Sequence, residues 1–160
     1  MSMIGNLLAV PQSELDALFD DPGQIAHFLY ETHADDAIHL DKTWHAIHFM
    51  LTGEVYDGDG AISQAILGGD PIGEEEVGYE PARGLSVAEV KAIDVALRGV
   101  SEADFRAKFD AAALTAADIY PQIWEEGDGA LDYLVPYFMS LKQFYENAAQ
   151  AGLAVVLFIN

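Results

Sequence analysis

The stretch Leu153-Ala154-Val155-Val156-Leu157-Phe158-Ile159 decides the fold of this chain. It is β-branched and apolar without alternation, which is typical of a strand covered on both faces of a sheet. Residues 3–10 form a second apolar stretch and predict another buried strand, in which Gly5 allows close approach of a second backbone. Pairing of the two strands would bring the two ends of the sequence together.

The sequence between these strands has mostly helical patterns. Ser86 and Glu89 have the capping-box spacing that begins a helix. The longest apolar pattern with spacings of three and four covers residues 128–151. Pro136 inside it predicts either a kink or the true start of that helix. Residues 70–84 show no clear periodicity and are predicted to be irregular, a feature that is often functional in compact domains.

These patterns predict the fold class. Strands at both ends with helices between them favour a single α/β domain over residues 1–160. We expect a helix-dominated domain with a small mixed sheet that includes both terminal strands and is covered by helices. Hydrophobic residues make up 51% of the chain, which is enough to bury a core and argues against disorder.

The charge of the chain limits its partners. Twenty-seven acidic residues and seven basic ones give a formal net charge of −20. Such a field repels nucleic acid and anionic lipid, so we expect neither as a partner, and it attracts basic proteins and cations. The same charge also serves solubility, which is the alternative explanation.

Composition excludes several chemistries. The chain has no cysteine, which excludes disulfides, thiolate catalysis and iron–sulfur clusters. The apolar stretch at residues 151–159 is too short to span a bilayer, and residues 1–10 lack the basic start of an export signal. The predicted location is the cytoplasm.

A segment with two histidines is the first candidate site. Asp41 is predicted to cap a helix over residues 42–51. On that helix His45 and His48 face the same side, and Trp44 lies four residues before His48. Two imidazoles could hold a metal with a carboxylate from elsewhere, or His45 could act as an acid–base group. The alternative is a pair of hydrogen-bonded core histidines, and we predict no metal site and no cofactor.

Arg83 is the second candidate. It lies in the aperiodic segment, after Tyr79, and is surrounded in sequence by carboxylates. A guanidinium in such a place can bind a carboxylate or phosphate ligand through two hydrogen bonds. The alternative is an internal salt bridge that fixes the segment.

The chain also resembles a known family through short motifs spread along its length. In order, these motifs are Leu40-Asp41-Lys42-Thr43-Trp44-His45, Leu51-Thr52-Gly53, Gly68-Gly69, Gly78-Tyr79-Glu80-Pro81-Ala82-Arg83, Ile119-Tyr120-Pro121-Gln122-Ile123-Trp124 and Phe144-Tyr145. Together they are similar to the YfbM-like family of uncharacterised bacterial proteins. The resemblance implies a compact cytoplasmic α/β domain and no particular activity, cofactor or catalytic residue.

Two hypotheses of function follow. The first is a small acidic binding module that docks on a basic protein and possesses no catalytic signature, as in the neutralisation of a basic toxin. The second is a small-molecule site or enzyme, in which His45 is the acid–base group and Arg83 the anion anchor. The predicted ligand-binding residues are Asp41, Trp44, His45, His48, Tyr79 and Arg83.

Overall fold

A five-stranded antiparallel sheet forms the centre of the computed structural model, which describes residues 2–126 and 129–160. The strands are Gly5–Val10 (β1), Ile38–His39 (β2), Asp70–Glu76 (β3), Pro81–Leu85 (β4) and Ala154–Ile159 (β5). Their order across the sheet is β2-β1-β5-β4-β3. The two terminal strands pair in the middle, from Gly5 opposite Ile159 to Val10 opposite Ala154. The predicted α/β domain with both terminal strands in one sheet is confirmed.

Helices cover both faces of this sheet. They are Gln12–Asp20 (α1), Ile25–His27 (α2), Trp44–Thr52 (α3), Gln64–Leu67 (α4), Val87–Arg98 (α5), Glu102–Ala107 (α6), Ala111–Ala116 (α7) and Gly129–Ala151 (α8). A 3-10 turn before α2 and a π-turn after it extend that helix over residues 22–32. Among the described residues, no helix combines the length and the apolar character needed to cross a bilayer.

Strand β5 separates two apolar cores. All six of its residues are buried. Val155, Leu157 and Ile159 belong to the larger core, which they share with α3, α5 and α8. Alternate residues, such as Val156, belong to a smaller core with Leu15 of α1 and Ile25 of α2. The fold is therefore a sheet between a thick helical layer and a thin one, as the strand without alternation predicted.

The sheet differs from the prediction in two respects. Its pairings are all antiparallel, whereas we expected a mixed sheet. Residues 70–84, expected to be irregular, contain β3 and most of β4, and β4 pairs with β5. Hydrophobic periodicity measures the burial of a strand and not the direction of its neighbour. The glutamate-rich β3 and the Arg83-Gly84 pair of β4 also lack the residues that favour strands, so tertiary pairing overrides local preference.

The predicted helices are close to those observed. The capping box of Ser86 and Glu89 begins α5. Pro136 lies inside α8, well after its first described residue Gly129, so it does not mark the start of the helix. Asp128, the first residue of the predicted pattern, lies outside the described residues.

Gly5 allows a side chain, rather than a backbone, to approach β1. A β-carbon added at Gly5 would lie 2.8 Å from Cβ of Trp44. The indole of Trp44 is buried and donates to the carbonyl of Met3 at 2.9 Å. Because Gly5 has no side chain, α3 can pack closely against β1 at this point.

Substitution of Gly5 by alanine tests this close approach. Gly5→Ala should lower the free energy of unfolding by about 1–3 kcal/mol, because the new methyl group overpacks the contact with Trp44. Gly99→Ala is the matched control, since its φ of −75° suits alanine and the nearest atom lies 3.4 Å away. It should cause no loss of stability. Urea unfolding of both variants measures the difference, and equal effects would contradict the contact.

Candidate functional site

His45 is held by the main chain on both sides of its ring. The backbone N–H of Tyr120 donates to Nδ1 at 3.0 Å, so the ring proton is on Nε2. Nε2 then donates to the carbonyl of Val55 at 3.0 Å. Burial lowers the pKa of His45, although the bond to Val55 opposes this effect. The ring is therefore a neutral imidazole with no nitrogen free for a ligand.

Aromatic rings enclose the same imidazole. The ring of Trp44 stacks on His45 with centroids 5.0 Å apart, and Tyr56 stacks at 5.2 Å. Tyr120 also stacks on Trp44, at 5.9 Å. This aromatic column explains why a histidine lies in a core position with only 3% of its surface exposed.

His48 lies one turn further along α3 and is buried as well. Its Nε2 donates to the carbonyl of Asp57 at 3.0 Å. Burial lowers the pKa of His48. Hydrogen bonds from its ring to the backbone of residues 56 and 57 oppose this shift, and the positive charge of Arg83 reinforces it. The two histidines thus bind the loop after α3 at Val55 and Asp57. In the described part of the chain, no group of three or more His, Asp or Glu side chains could hold a metal.

Arg83 joins the end of a short helix to the sheet. Its Nη1 donates to the carbonyls of Ile66 at 3.2 Å and Gly68 at 2.7 Å. The hydroxyl of Tyr145 donates to the carbonyl of Ala65 at 2.6 Å. These carbonyls belong to the last turn of α4 and the residue after it, where a helix needs donors. The guanidinium therefore caps α4 from inside the protein.

The charge of Arg83 is balanced by Glu80. Nη2 lies 3.0 Å from Oε1 of Glu80, in an ion pair without the alignment of a hydrogen bond. Burial lowers the pKa of Arg83, and the charge of Glu80 opposes this shift. The internal salt bridge that the sequence left open as an alternative is thus present, and Nη1 is already occupied by two carbonyls.

Asp41 and Tyr79 lie apart from this group. Asp41 has a φ of 48° and begins a 3-10 turn, and its carboxylate accepts from the hydroxyl of Tyr133 at 2.7 Å. The prediction that Asp41 caps the helix is wrong, because the 3-10 turn separates it from Trp44, where α3 begins. Tyr79 is 39% exposed, and its backbone N–H donates to Ile159.

The six predicted residues make their contacts with different parts of the described chain, and none of them lines the four cavities described below. The structure brings Trp44 to His45 by stacking, and it places His48 where the positive charge of Arg83 helps to lower the pKa of His48. Four cavities of the described chain are lined by other residues. Two of them are surface grooves that the sequence analysis missed: one between α1 and α2, and one between β1 and α8. Each joins residues from separate elements, so no single motif could have indicated it.

Comparison with known proteins places the chain in a family. The family described as "Domain of unknown function (DUF1877)" matches residues 1–158. The chain belongs to this family. It is also similar to the crystal structure of YfbM, a protein of unknown function from Escherichia coli, with a TM-score of 0.76 and 20% sequence identity. That match covers 98% of this chain and 99% of YfbM.

These matches confirm the YfbM-like resemblance that the motifs indicated. At 20% identity the likeness to YfbM shows the fold alone. No curated protein matches the chain. Neither the DUF1877 family description nor the YfbM title supplies a specific activity.

Removal of the Arg83 side chain should be costly to stability. Arg83→Ala is expected to lower the free energy of unfolding by about 2–4 kcal/mol, because Glu80 loses its ion pair and two helix-end carbonyls lose their donor. The matched control is Arg106→Ala, whose exposed ion pairs with Glu102 and Asp132 should together contribute less than about 1 kcal/mol. Urea unfolding measures both. A stable Arg83→Ala protein would instead favour a role in ligand binding.

The buried histidines should make stability depend on pH. A lowered pKa means that the unfolded chain, with a histidine pKa near 6.5, takes up protons that the folded chain resists. Each such histidine stabilises the fold above pH 6.5, and this contribution falls with decreasing pH by at most about 1.4 kcal/mol per pH unit.

Comparison of the wild-type protein with His48→Gln separates the pH dependence caused by His48 from that caused by the carboxylates. Glutamine keeps a donor for the carbonyl of Asp57 and does not titrate. The stability lead of the wild-type protein over this variant should shrink as the pH falls from about 7 to about 5. Urea unfolding at several pH values measures the lead. A lead that grows on acidification would contradict the lowered pKa.

Proposed function

We propose that this chain is a binding module for a basic protein partner. The partner docks on the thin helical layer and the neighbouring edge strand, namely α1, residues 22–36 and β3, which we call the acidic face. The observation that carries the proposal is a groove with carboxylates at its rim and an apolar floor, set in a surface without lysine or arginine.

Charge is distributed unequally between the two sides of the sheet. Residues 2–41 contain eight Asp or Glu residues and no Lys or Arg, and the outer strand β3 adds Asp70 and Glu74–Glu76, all exposed. The basic residues on or next to the helices of the thick layer are Lys42, Lys91, Arg98, Arg106, Lys108 and Lys142. The acidic face therefore attracts cations more strongly than the net charge alone implies, because no lysine or arginine neutralises it locally.

The groove lies on this face between α1 and α2. Its volume is about 260 Å³, and it is lined by Glu14, Ala17, Leu18, Asp21, Gln24 and Phe28. Glu14 and Asp21 supply carboxylates, and Leu18 and Phe28 supply apolar surface. Lysine and arginine bury their aliphatic stems on apolar surface while their charged ends meet carboxylates. The groove thus fits a basic side chain of a partner.

Aromatic side chains extend the same surface. Phe19 of α1 is 38% exposed and Tyr30 is 41% exposed. Protein interfaces are enriched in such residues and place polar groups around them. An acidic rim also accelerates the encounter with a basic partner and makes association sensitive to salt.

The alternative is the small-molecule pocket on Trp44, His45, Tyr79 and Arg83. We rank it second, since both nitrogens of His45 and the Nη1 of Arg83 already bond the main chain. A ligand that bonded to any of these nitrogens would first have to displace its present contact.

Charge reversal in the groove tests the proposed function. The probe is an amphipathic helical peptide made of leucine and lysine, titrated at about 20 and about 200 mM salt. The variant Glu14→Lys with Asp21→Lys should bind this peptide about tenfold more weakly at low salt, because like charges then face each other.

The matched control is Glu125→Lys with Glu126→Lys, which makes the same charge change at exposed positions outside the acidic face. It should weaken binding less than about threefold, since only the general field changes. Equal weakening by the two pairs, or no binding by the wild-type protein at low salt, would contradict docking at the acidic face.

A further inference from the structure

The groove between α1 and α2 is lined along one stripe of α1. Four of its six lining residues lie on α1 or directly after it, namely Glu14, Ala17, Leu18 and Asp21. Side chains three and four residues apart share one face of a helix. Asp21 continues the stripe because its backbone N–H donates to the carbonyl of Ala17, as it would inside the helix. The stripe therefore begins and ends with a carboxylate and is apolar in its middle.

Both carboxylates of the stripe are available to a partner. In the described part of the chain, neither Glu14 nor Asp21 forms an ion pair. Other carboxylates of the acidic face do have partners, as Asp36 does with His33 at 2.8 Å. The stripe thus presents two negative charges that no side chain of the described chain compensates.

The separation of the two carboxylates matches the repeat of a helix. At about 1.5 Å per residue, Cα of Asp21 lies about 10 Å along α1 from Cα of Glu14. A partner helix offers the same separation, since its residues seven positions apart lie about 10 Å apart on one face. An extended segment offers same-face residues at about 6.6 Å or about 13 Å instead. Two basic residues on a helix therefore meet both carboxylates more readily than two on an extended chain.

The size of the groove suits side chains rather than a whole ligand. Its volume of about 260 Å³ is below the range of about 300–1,000 Å³ that is usual for small-molecule sites. Its apolar surface comes from Leu18 and Phe28. A partner residue three or four positions after the first basic residue faces this apolar surface, because it lies on the same side of the partner helix.

We propose that the partner segment bound by this groove is an amphipathic helix with two basic residues seven positions apart and apolar residues three and four positions after the first of them. This inference rests on the proposed function, since it specifies which element of the basic partner meets the acidic face. Docking of an amphipathic helix in a groove is a recurrent mode of recognition. The basic residues pair with Glu14 and Asp21, and the apolar residues pack on Leu18 and Phe28.

The chain itself has one exposed helix face with a similar spacing, on α5. Lys91, Val95 and Arg98 are exposed there, and the two basic residues are seven positions apart. A second copy is nevertheless a poorer occupant. Arg98 is already paired with Asp94 at 2.7 Å, and two copies of charge −20 repel each other.

The test uses two blocked peptides of identical composition and charge, titrated at about 20 mM salt into the full chain labelled with nitrogen-15. The matched peptide is acetyl-Ala-Gln-Ala-Lys-Ala-Gln-Leu-Leu-Ala-Gln-Lys-Ala-Gln-Ala-amide, whose lysines are seven positions apart. The shuffled peptide is acetyl-Ala-Gln-Ala-Lys-Ala-Gln-Leu-Leu-Lys-Gln-Ala-Ala-Gln-Ala-amide, whose lysines are five apart and lie on different faces of a helix. The matched peptide should bind about fivefold more tightly and shift the amide signals of Glu14, Leu18 and Phe28.

A third peptide tests the helix itself. It is the matched peptide with proline in place of the glutamine before the leucines, which prevents a continuous helix and keeps both lysines. It should bind more weakly than the matched peptide. Equal affinity of these two peptides would overturn the helix in favour of an extended segment.

Single neutral variants locate the two ion pairs. Glu14→Gln and Asp21→Asn should each weaken the matched peptide about threefold. The matched control is Asp20→Asn, an equal charge change at an exposed position outside the groove, which should change the affinity less than about 1.5-fold.

The outcomes separate this inference from the proposed function. If the matched and shuffled peptides bind equally and Glu14→Lys with Asp21→Lys weakens both, the acidic face still binds basic segments, but the spacing of seven is overturned. If neither peptide binds at low salt, the proposed function fails together with the inference. A wild-type chain that self-associates, and that Glu14→Lys with Asp21→Lys renders monomeric, would overturn the foreign helix in favour of a second copy.

Discussion

The burial of β5 on both faces is the constraint on which the rest of the structure depends. An apolar strand of six buried residues must have strand neighbours for its backbone and helices for both sets of side chains. β1 and β4 satisfy its backbone, and the two helical layers cover its faces. The opposed surfaces of the molecule, one without lysine or arginine and one with side chains of both signs, are the outer sides of these two layers.

Buried polar side chains connect the irregular segments to this frame. His45 and His48 bind the loop after α3, and Arg83 holds the end of α4 through main-chain carbonyls. Their hydrogen bonds are directed at backbone, which is how short helices and loops near a core satisfy groups that lack helix partners. His45, His48 and Arg83 were among the candidate site residues in the sequence. In this conformation their side chains hold a loop and a helix end in place through hydrogen bonds to the backbone.

The two surface grooves differ in the interactions that they offer to a binding partner. The groove between α1 and α2 combines carboxylates with an aromatic floor, so long-range attraction and short-range packing favour the same basic side chain. The groove between β1 and α8 has no carboxylate and is lined mainly by apolar and amide side chains, so long-range attraction contributes little to binding there.

The sequence by itself determined the core elements and the charge. The unbroken apolar run of β5 and the capping box at Ser86 are local signals, and both elements appear where they were predicted. The sequence also identified His45 and Arg83 as unusual, but their bonds to Val55, Tyr120 and the end of α4 are contacts between distant segments. The hairpin of β3 and β4 and both grooves were decided only by the tertiary structure. Their residues carry weak local preferences, and the free energy that fixes them comes from pairing and packing between elements far apart in the chain.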